Sequence, residues 1–343
     1  MTDDITTRRP AARFPGISPR AYEHPADRGA LATLRAVPGF PQVLKATAGF
    51  FSERGERLMA LASAIRVGPT QYPDIDRLRH ECAEALDITP VPNVFVAREP
   101  VANAYTIGMD EPFIVLSTGL VELLDQDGLR FAIGHEMGHV LSGHAVYRTM
   151  LLRLISMQLS MSWTPVSALG LRAIVAALKE WYRKAELSCD RAGLLCGQDP
   201  AAALRAHILI AGGIDPAQVD IASFLRQAEE YDSVDDIRDS LNKLRHVEGM
   251  THPLAVVRAA QLQKWAATAE YRDILGGMYP RREDDRAASN WRDDVRTAAK
   301  SYKDSVGTSA DPLAKVFADV GEAVSGTAGK VWNKFGNRTE DGS

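Results

Sequence analysis

Three short runs of β-branched, aromatic and aliphatic residues, at 93–97 (NVFVA), 102–107 (ANAYTI) and 113–117 (FIVLS), stand in a chain whose other apolar residues recur mostly at helical spacing. R-E-P and G-M-D-E-P turn signals separate them, which predicts a small antiparallel sheet. Everything around it reads as helix. The expected fold class is therefore α+β, mainly helical. At 343 residues the chain is long enough for one main domain with appended helical segments. The first fifteen residues read as disordered by composition, and 16–88 as a proline-punctuated helical region containing LMALASAIRV and IDRLRHECAEAL. The main domain is expected over 89–275. In it, Ser117-Thr118-Gly119 marks a helix start, a second helix runs through 128–144, and 166–265 is helical with breaks at Gly212-Gly213 and near Gly249. A charged tail, 276–343, carries Leu313, Val316, Phe317, Val320 and Val324 at helical spacing, extended by Val331, Trp332 and Phe335. That stripe reads as an amphipathic helix docked on the core, with a membrane-surface or partner helix as the alternative.

Lys plus Arg number 40 and Asp plus Glu 44, a formal charge of −4 that lacks the basic footprint nucleic acid requires. Cys82, Cys189 and Cys196 form no C-x-x-C pair and suit a reducing compartment. The opening MTDDITTRRPAARFPG contains no apolar signal region, so cytoplasmic residence is expected. Between Arg153 and Arg172 the chain carries no charge, which raises the question of a membrane span. Serines, a threonine, a glutamine and Pro165 inside that run favour a helical hairpin packed on the protein, with peripheral membrane contact through 154–171 as the alternative.

The segment FAIGHEMGHVLSGH contains H-E-x-x-H at His135, Glu136 and His139. On a helix, residues four apart lie about 40° apart on one face, so both imidazoles can reach one metal ion. Glu136 sits where it can hold and deprotonate a metal-bound water. Gly134 and Gly138 flank the site, where larger side chains would crowd metal or substrate. A catalytic zinc needs a third protein ligand and one open position. The route through H-E-x-x-H-x-x-G-x-x-H is closed, because Ser142 and Ala145 stand where glycine and histidine would be required. His144 falls on roughly the opposite side of the helix and reads as a hydrogen-bonded structural histidine. In KEWYRKAELSCDRAGLLC, Glu186 and Asp190 share a helical face. Glu186 can bind the metal, while Asp190 accepts the N–H of a ligand histidine and fixes its tautomer. Glu180 is a weaker substitute, and Cys189 is expected in the core.

At these residues the chain resembles the gluzincins that include the heat-shock protease HtpX and the CAAX prenyl-protein endopeptidases, which pair H-E-x-x-H with a later E-x-x-x-D. Asn103-Ala104-Tyr105 followed by FIVLSTGLVELL resembles that family's Asn-Ala edge strand and the helix entry after it. The stretch 183–192, RKAELSCDRA, resembles its third-ligand helix, with Cys189 where alanine is more usual. Thr251-His252-Pro253, with Arg258 after it, resembles its Thr-His-Pro segment. The resemblance spans roughly 70–265 and implies a zincin-like metalloprotease fold with the sheet beside the H-E-x-x-H helix. Many members of the family are integral membrane enzymes; here the N-terminal spanning helices are absent and 154–171 is polar and proline-broken, so the chain looks like a soluble branch.

Together these features lead to the expectation of an endopeptidase with one zinc ion per chain, held by His135, His139 and Glu186, with Glu136 as general base. His252 is the candidate oxyanion donor, from its place in the Thr-His-Pro segment, and Arg258 is the reserve. The strand around Asn103, Ala104 and Tyr105 is expected to pair with an extended peptide, giving broad side-chain tolerance suited to unfolded or damaged proteins. The rival reading is a zinc-containing peptide-binding or chaperone-like module with latent or no hydrolysis. Glu136 argues against it, because a structural zinc site needs no base.

Overall fold

A computed structural model describes residues 11–36, 53–108, 110–160, 165–212, 215–233 and 254–285. Helices α1 (Pro25–Ala36) and α2 (Glu53–Ser63) lead into strand β1 (Ala64–Arg66) and helix α3 (Pro73–Ala85). Strands β2 (Val94–Ala97), β3 (Ala104–Ile107) and β4 (Phe113–Ser117) follow. Next come α4 (Thr118–Leu123), α5 (Gln126–Leu141), α6 (His144–Ser160), α7 (Pro165–Gly197) and α8 (Pro200–Ala211). Helices α9 (Ile221–Ser233), α10 (Ala255–Ala266), α11 (Ala269–Leu275) and the short α12 (Arg282–Asp285) complete the described elements.

The mainly helical α+β architecture is as expected, but the sheet differs in two respects. It has four strands in the order β1-β2-β4-β3, and its central pair, β2 with β4, is parallel. Only the outer pairs, β1/β2 and β3/β4, are antiparallel. The reason lies in β4, every residue of which is buried. A strand buried on both faces belongs in the middle of a sheet. The chain therefore leaves β2, passes to the far edge, and returns through β3 to place β4 between them. Strand β1 comes from the region expected to be helical, where AIR pairs with Phe95, Val96 and Ala97.

One face of the sheet packs Phe95, Phe113 and Val115 beneath Ala60 of α2. The other face sends Val94, Val96, Ile114 and Leu116 into the main core with Ile133 and Met137 of α5. Phe14, Ile17 and Tyr22 join that core from the N-terminal side, and Trp265, Tyr271 and Ile274 from the C-terminal side. A second cluster joins Ala30 and Leu34 of α1 to Met150, Leu151 and Leu154 of α6 and to Ile174, Leu178 and Trp181 of α7. The uncharged stretch thus ends one helix at Ser160 and opens the next at Pro165, and α6 packs on α7. Proline suits the first turn of a helix, where its missing N–H is not needed. No helix among the described residues is long and apolar enough to cross a membrane.

The contact that matters most for the site is between α5 and α7. A Cβ added at Gly134 would stand 2.6 Å from the Cβ of Cys196, and one at Gly138 would stand 2.7 Å from the Cβ of Ala192. From the other side, a Cβ at Gly193 would meet the Phe131 carbonyl oxygen at 2.7 Å. The glycines beside H-E-x-x-H therefore serve helix–helix approach, and the reason the sequence suggested, clearance for metal or substrate, is corrected accordingly. Replacing any one of the three by alanine forces the helices apart, a change costing about 1–3 kcal/mol.

Candidate metal centre

Helix α5 is started by Asp125, whose side chain accepts from the Gly128 N–H at 2.7 Å. From there the α-helical repeat carries His135, Glu136 and His139 to the buried side facing α7. One possible ligand atom from each of the three lies within 4.8 Å of the others. Helix α7 brings Glu186 against them. Its Oε2 is 3.5 Å from His135 Nε2 and its Oε1 is 3.2 Å from His139 Nε2. Donors about 2.0–2.1 Å from a tetrahedral zinc stand roughly 3.3 Å apart, so these separations fit a shared ion. His139 Nε2 approaches Glu186 without the alignment of a hydrogen bond, as a lone pair aimed at a common point would. Two imidazoles and a carboxylate are also the donor chemistry that zinc accepts.

The supporting residues are equally ordered. Asp190, one turn after Glu186, accepts from His135 Nδ1 at 2.9 Å, which leaves Nε2 as the lone-pair nitrogen facing Glu186. Arg258 of α10 grips Asp190 through Nε at 2.8 Å and Nη2 at 2.5 Å, while Nη1 lies 3.0 Å from Glu186 Oε2. Burial would raise Asp190, but the Arg258 guanidinium and His207 overcome it and hold the carboxyl well below the usual range. Burial works against a charged His135 too, yet Asp190 and Glu186 lift it to about 9. His139 moves the other way, down to about 4, chiefly through burial. Its ring stacks on Tyr182, with centroids 5.3 Å apart and planes 9° from parallel.

Glu136 is held from the sheet. Thr106 on β3 donates its hydroxyl to Glu136 Oε2 at 2.6 Å. The alternation of a strand explains this, because Ala104 and Thr106 face α5 while Tyr105 faces the opposite side. Asn103 turns both its backbone groups toward Ser117, so the backbone of Ala104 and Thr106 points to the outer edge. There helix α6 closes the strand: Arg148 donates to the Thr106 carbonyl at 3.4 Å, and Thr149 Oγ1 accepts from the Gly108 N–H at 3.1 Å. The Arg148 guanidinium also lies over the rings of Tyr105 and Tyr182. A cavity of about 430 Å³ opens beside this edge, bounded by Asn103, Ala104, Phe131, His135, Glu136 and His207.

The structure thus gathers His135, Glu136, His139, Glu186 and Asp190, with Asn103 and Ala104 at the mouth and Tyr105 turned away from it. Arg258, read as a reserve oxyanion donor, engages Asp190 and Glu186 instead. His252 with its Thr-His-Pro segment, the side chain of Glu180 and the tail stripe lie outside the described residues. His144 is buried as the sequence suggested, its Nε2 3.4 Å from Asp27 of α1. Sequence reasoning missed Thr106, Arg148, Tyr182, His207 and Asp27. Only Thr106 left a signal, since strand alternation from Ala104 points it at the motif.

A family model described as Peptidase family M48 matches residues 69–266. The chain is 33% identical over 279 residues to the plastoglobule-localized metallopeptidase 48, chloroplastic, of Arabidopsis thaliana, a match covering 78% of each chain. It is 34% identical over 86 residues to the protease HtpX homolog of Thermoanaerobacter pseudethanolicus, covering 24% of this chain and 28% of that one. A protease HtpX homolog of Tropheryma whipplei is 30% identical over 112 residues, 31% of this chain and 36% of the relative. No solved structure matches significantly.

Proposed function

Because the chain belongs to peptidase family M48 and is a metal-dependent protease, we propose that it works with one zinc ion held by His135, His139 and Glu186, and with Glu136 as general base. The observation that carries this reading is the pair of 3.2 and 3.5 Å approaches of Glu186 to the two imidazoles, made on a helix pair fixed by glycine contacts. Zinc bound there supplies Lewis acidity and a water acidic enough to be deprotonated near neutral pH. Glu136 takes that water's proton and hands it to the departing amine. Thr106 holds Glu136 Oε2, so the opposite oxygen is the one presented for proton transfer. Asp190 and Arg258 hold His135 in the required tautomer and act as positioning residues. His252 remains the proposed oxyanion donor, since the Arg258 guanidinium already binds Asp190 and Glu186.

The proposed substrate is an extended peptide running along the strand around Asn103, Ala104 and Tyr105, with one side chain entering the 430 Å³ cavity. Backbone pairing favours unfolded or damaged proteins over a single sequence. Helix α6 covers the strand from Thr106 to Gly108, beyond those three residues. We place the enzyme in the cytoplasm, in keeping with three cysteines that are all free and buried. The test is metal content by mass spectrometry alongside casein cleavage. Wild type should carry zinc, Glu136→Gln should keep the same content while cleavage falls about 10²–10⁴-fold, and Glu186→Ala should carry one zinc fewer than wild type. Wild type that cleaves without zinc, or Glu186→Ala with the zinc content of wild type, would overturn the ligand assignment.

A further inference from the structure

Behind the metal centre lies a second cluster, of which the proposed proteolytic mechanism uses His139 alone. Cys189 Sγ is 3.5 Å from His144 Nδ1, and His144 Nε2 is 3.4 Å from Asp27 Oδ2. A possible ligand atom of His139 completes the group, all three lying within 4.8 Å of one another. The three residues come from α5, α6 and α7, and all are buried. We propose that His144, Cys189 and His139 form a second metal site, which takes a divalent ion of the zinc and cobalt class through one thiolate and two imidazoles.

Three observations support it. First, zinc–sulfur and zinc–nitrogen bonds of about 2.3 and 2.1 Å at a tetrahedral angle place the donors roughly 3.5 Å apart, the spacing found here. A thiol–imidazole hydrogen bond would have the same length, so the other two observations decide between them. Second, His144 is set up as a ligand. Asp27 faces its Nε2, which fixes the proton there and leaves Nδ1 as the lone pair aimed at Cys189. Asp190 does the same for His135 at the catalytic centre, with the two ring nitrogens exchanged. Asp27 is itself held by Ser188, whose hydroxyl donates at 2.6 Å. Third, His139 Nδ1 is buried and makes no hydrogen bond among the described residues, while Nε2 faces Glu186. The His139 and His144 ring centroids are 5.4 Å apart.

On loading, the Cys189 thiol proton and the His139 ring proton pass to solvent. The resulting thiolate and imidazolate balance the two charges of the ion, and a water fills the remaining position. His139 thereby bridges this site and the catalytic one. Burial of all three donors keeps substrate away from the ion, which suits a retained ion and not turnover.

The experiment uses full-length, reduced, metal-free protein titrated with Co²⁺ alone. The expected result is a near-ultraviolet thiolate-to-cobalt band that is absent from Cys189→Ala and at least tenfold harder to fill in His144→Gln. The band should persist in Glu186→Ala, which separates failure of this site from failure of the catalytic assignment. X-ray absorption on cobalt-loaded wild type reads the same question without a variant, through a sulfur neighbour at about 2.3 Å. No band and no sulfur neighbour at any loading overturns the proposal. So does a band that survives in Cys189→Ala, since Cys82 or Cys196 would then be its source.

Discussion

Helix α5 stands between two buried carboxylate–histidine pairs that look alike and behave in opposite ways. Toward α10, Asp190 receives the His135 N–H and two donors from Arg258, and its carboxyl is held well below the usual range although burial alone would raise it. Toward α1, Asp27 accepts the Ser188 hydroxyl, has smaller help from Trp181 and Arg28, and faces His144; burial outweighs them and pushes it up to about 6. The lesson is that a hydroxyl does not offset the desolvation of a buried carboxylate, whereas a guanidinium making two hydrogen bonds does. One pair is therefore anchored in its charged state and can orient a ligand at all working pH values. The other sits close to its own titration.

Four substitutions sharpen or break that contrast, taken from the largest expected effect to the smallest. Asp190→Asn leaves the buried Arg258 without its main counter-charge. It should cost about 3–5 kcal/mol in urea melts and weaken zinc 10–100-fold in chelator competition. A loss under 1 kcal/mol would mean that the ion pair is not what holds this side together. Thr106→Val removes the hydroxyl that holds Glu136, and kcat should fall about tenfold, some 1.4 kcal/mol, with zinc content and KM unchanged. Unaltered kcat would show that Glu136 is positioned by something else.

On the α1 side the expected effects are smaller and depend on pH. Glu23 is pushed up from 4.5 to about 7, first by burial and then by Asp27. Between those values the folded chain holds a proton that the unfolded chain has released, so stability falls as pH rises from 4.5 through 7. Glu23→Gln should therefore gain about 1 kcal/mol at pH 8 and nothing at pH 4, read from thermal melts at the two values. Equal effects at both would remove Glu23 from the account. Asp27→Asn keeps the shape and removes a poorly compensated charge, so stability at pH 7.5 should stay within about 1 kcal/mol of wild type. A loss above 3 kcal/mol would erase the difference between the two sides.

The parts of this arrangement that follow a local period were legible. A spacing of four along a helix brings His135 to His139, and Glu186 to Asp190, whatever surrounds them. Strand alternation likewise turns Ala104 and Thr106 toward the motif. What was not legible depends on how distant segments meet. The parallel pairing of β2 with β4 is invisible in either strand, because both read as short apolar runs. The partnership of Asp27 with His144 joins helices far apart in the chain, and nothing near Asp27 marks it. Arg258 belongs to the same class: its charge was visible, but its commitment to Asp190 and Glu186 exists only once α10 has docked. Gly134 and Gly138 were noticed and given the wrong task, since a missing side chain does not say which neighbour fills the space.

That glycine contact also ties the metal centre to its support. Close approach of α5 and α7 brings His135 and His139 to Glu186, and the Asp190–Arg258 pair links the same two helices to α10. A side chain added at the contact would therefore displace the ligands and the groups that orient them together.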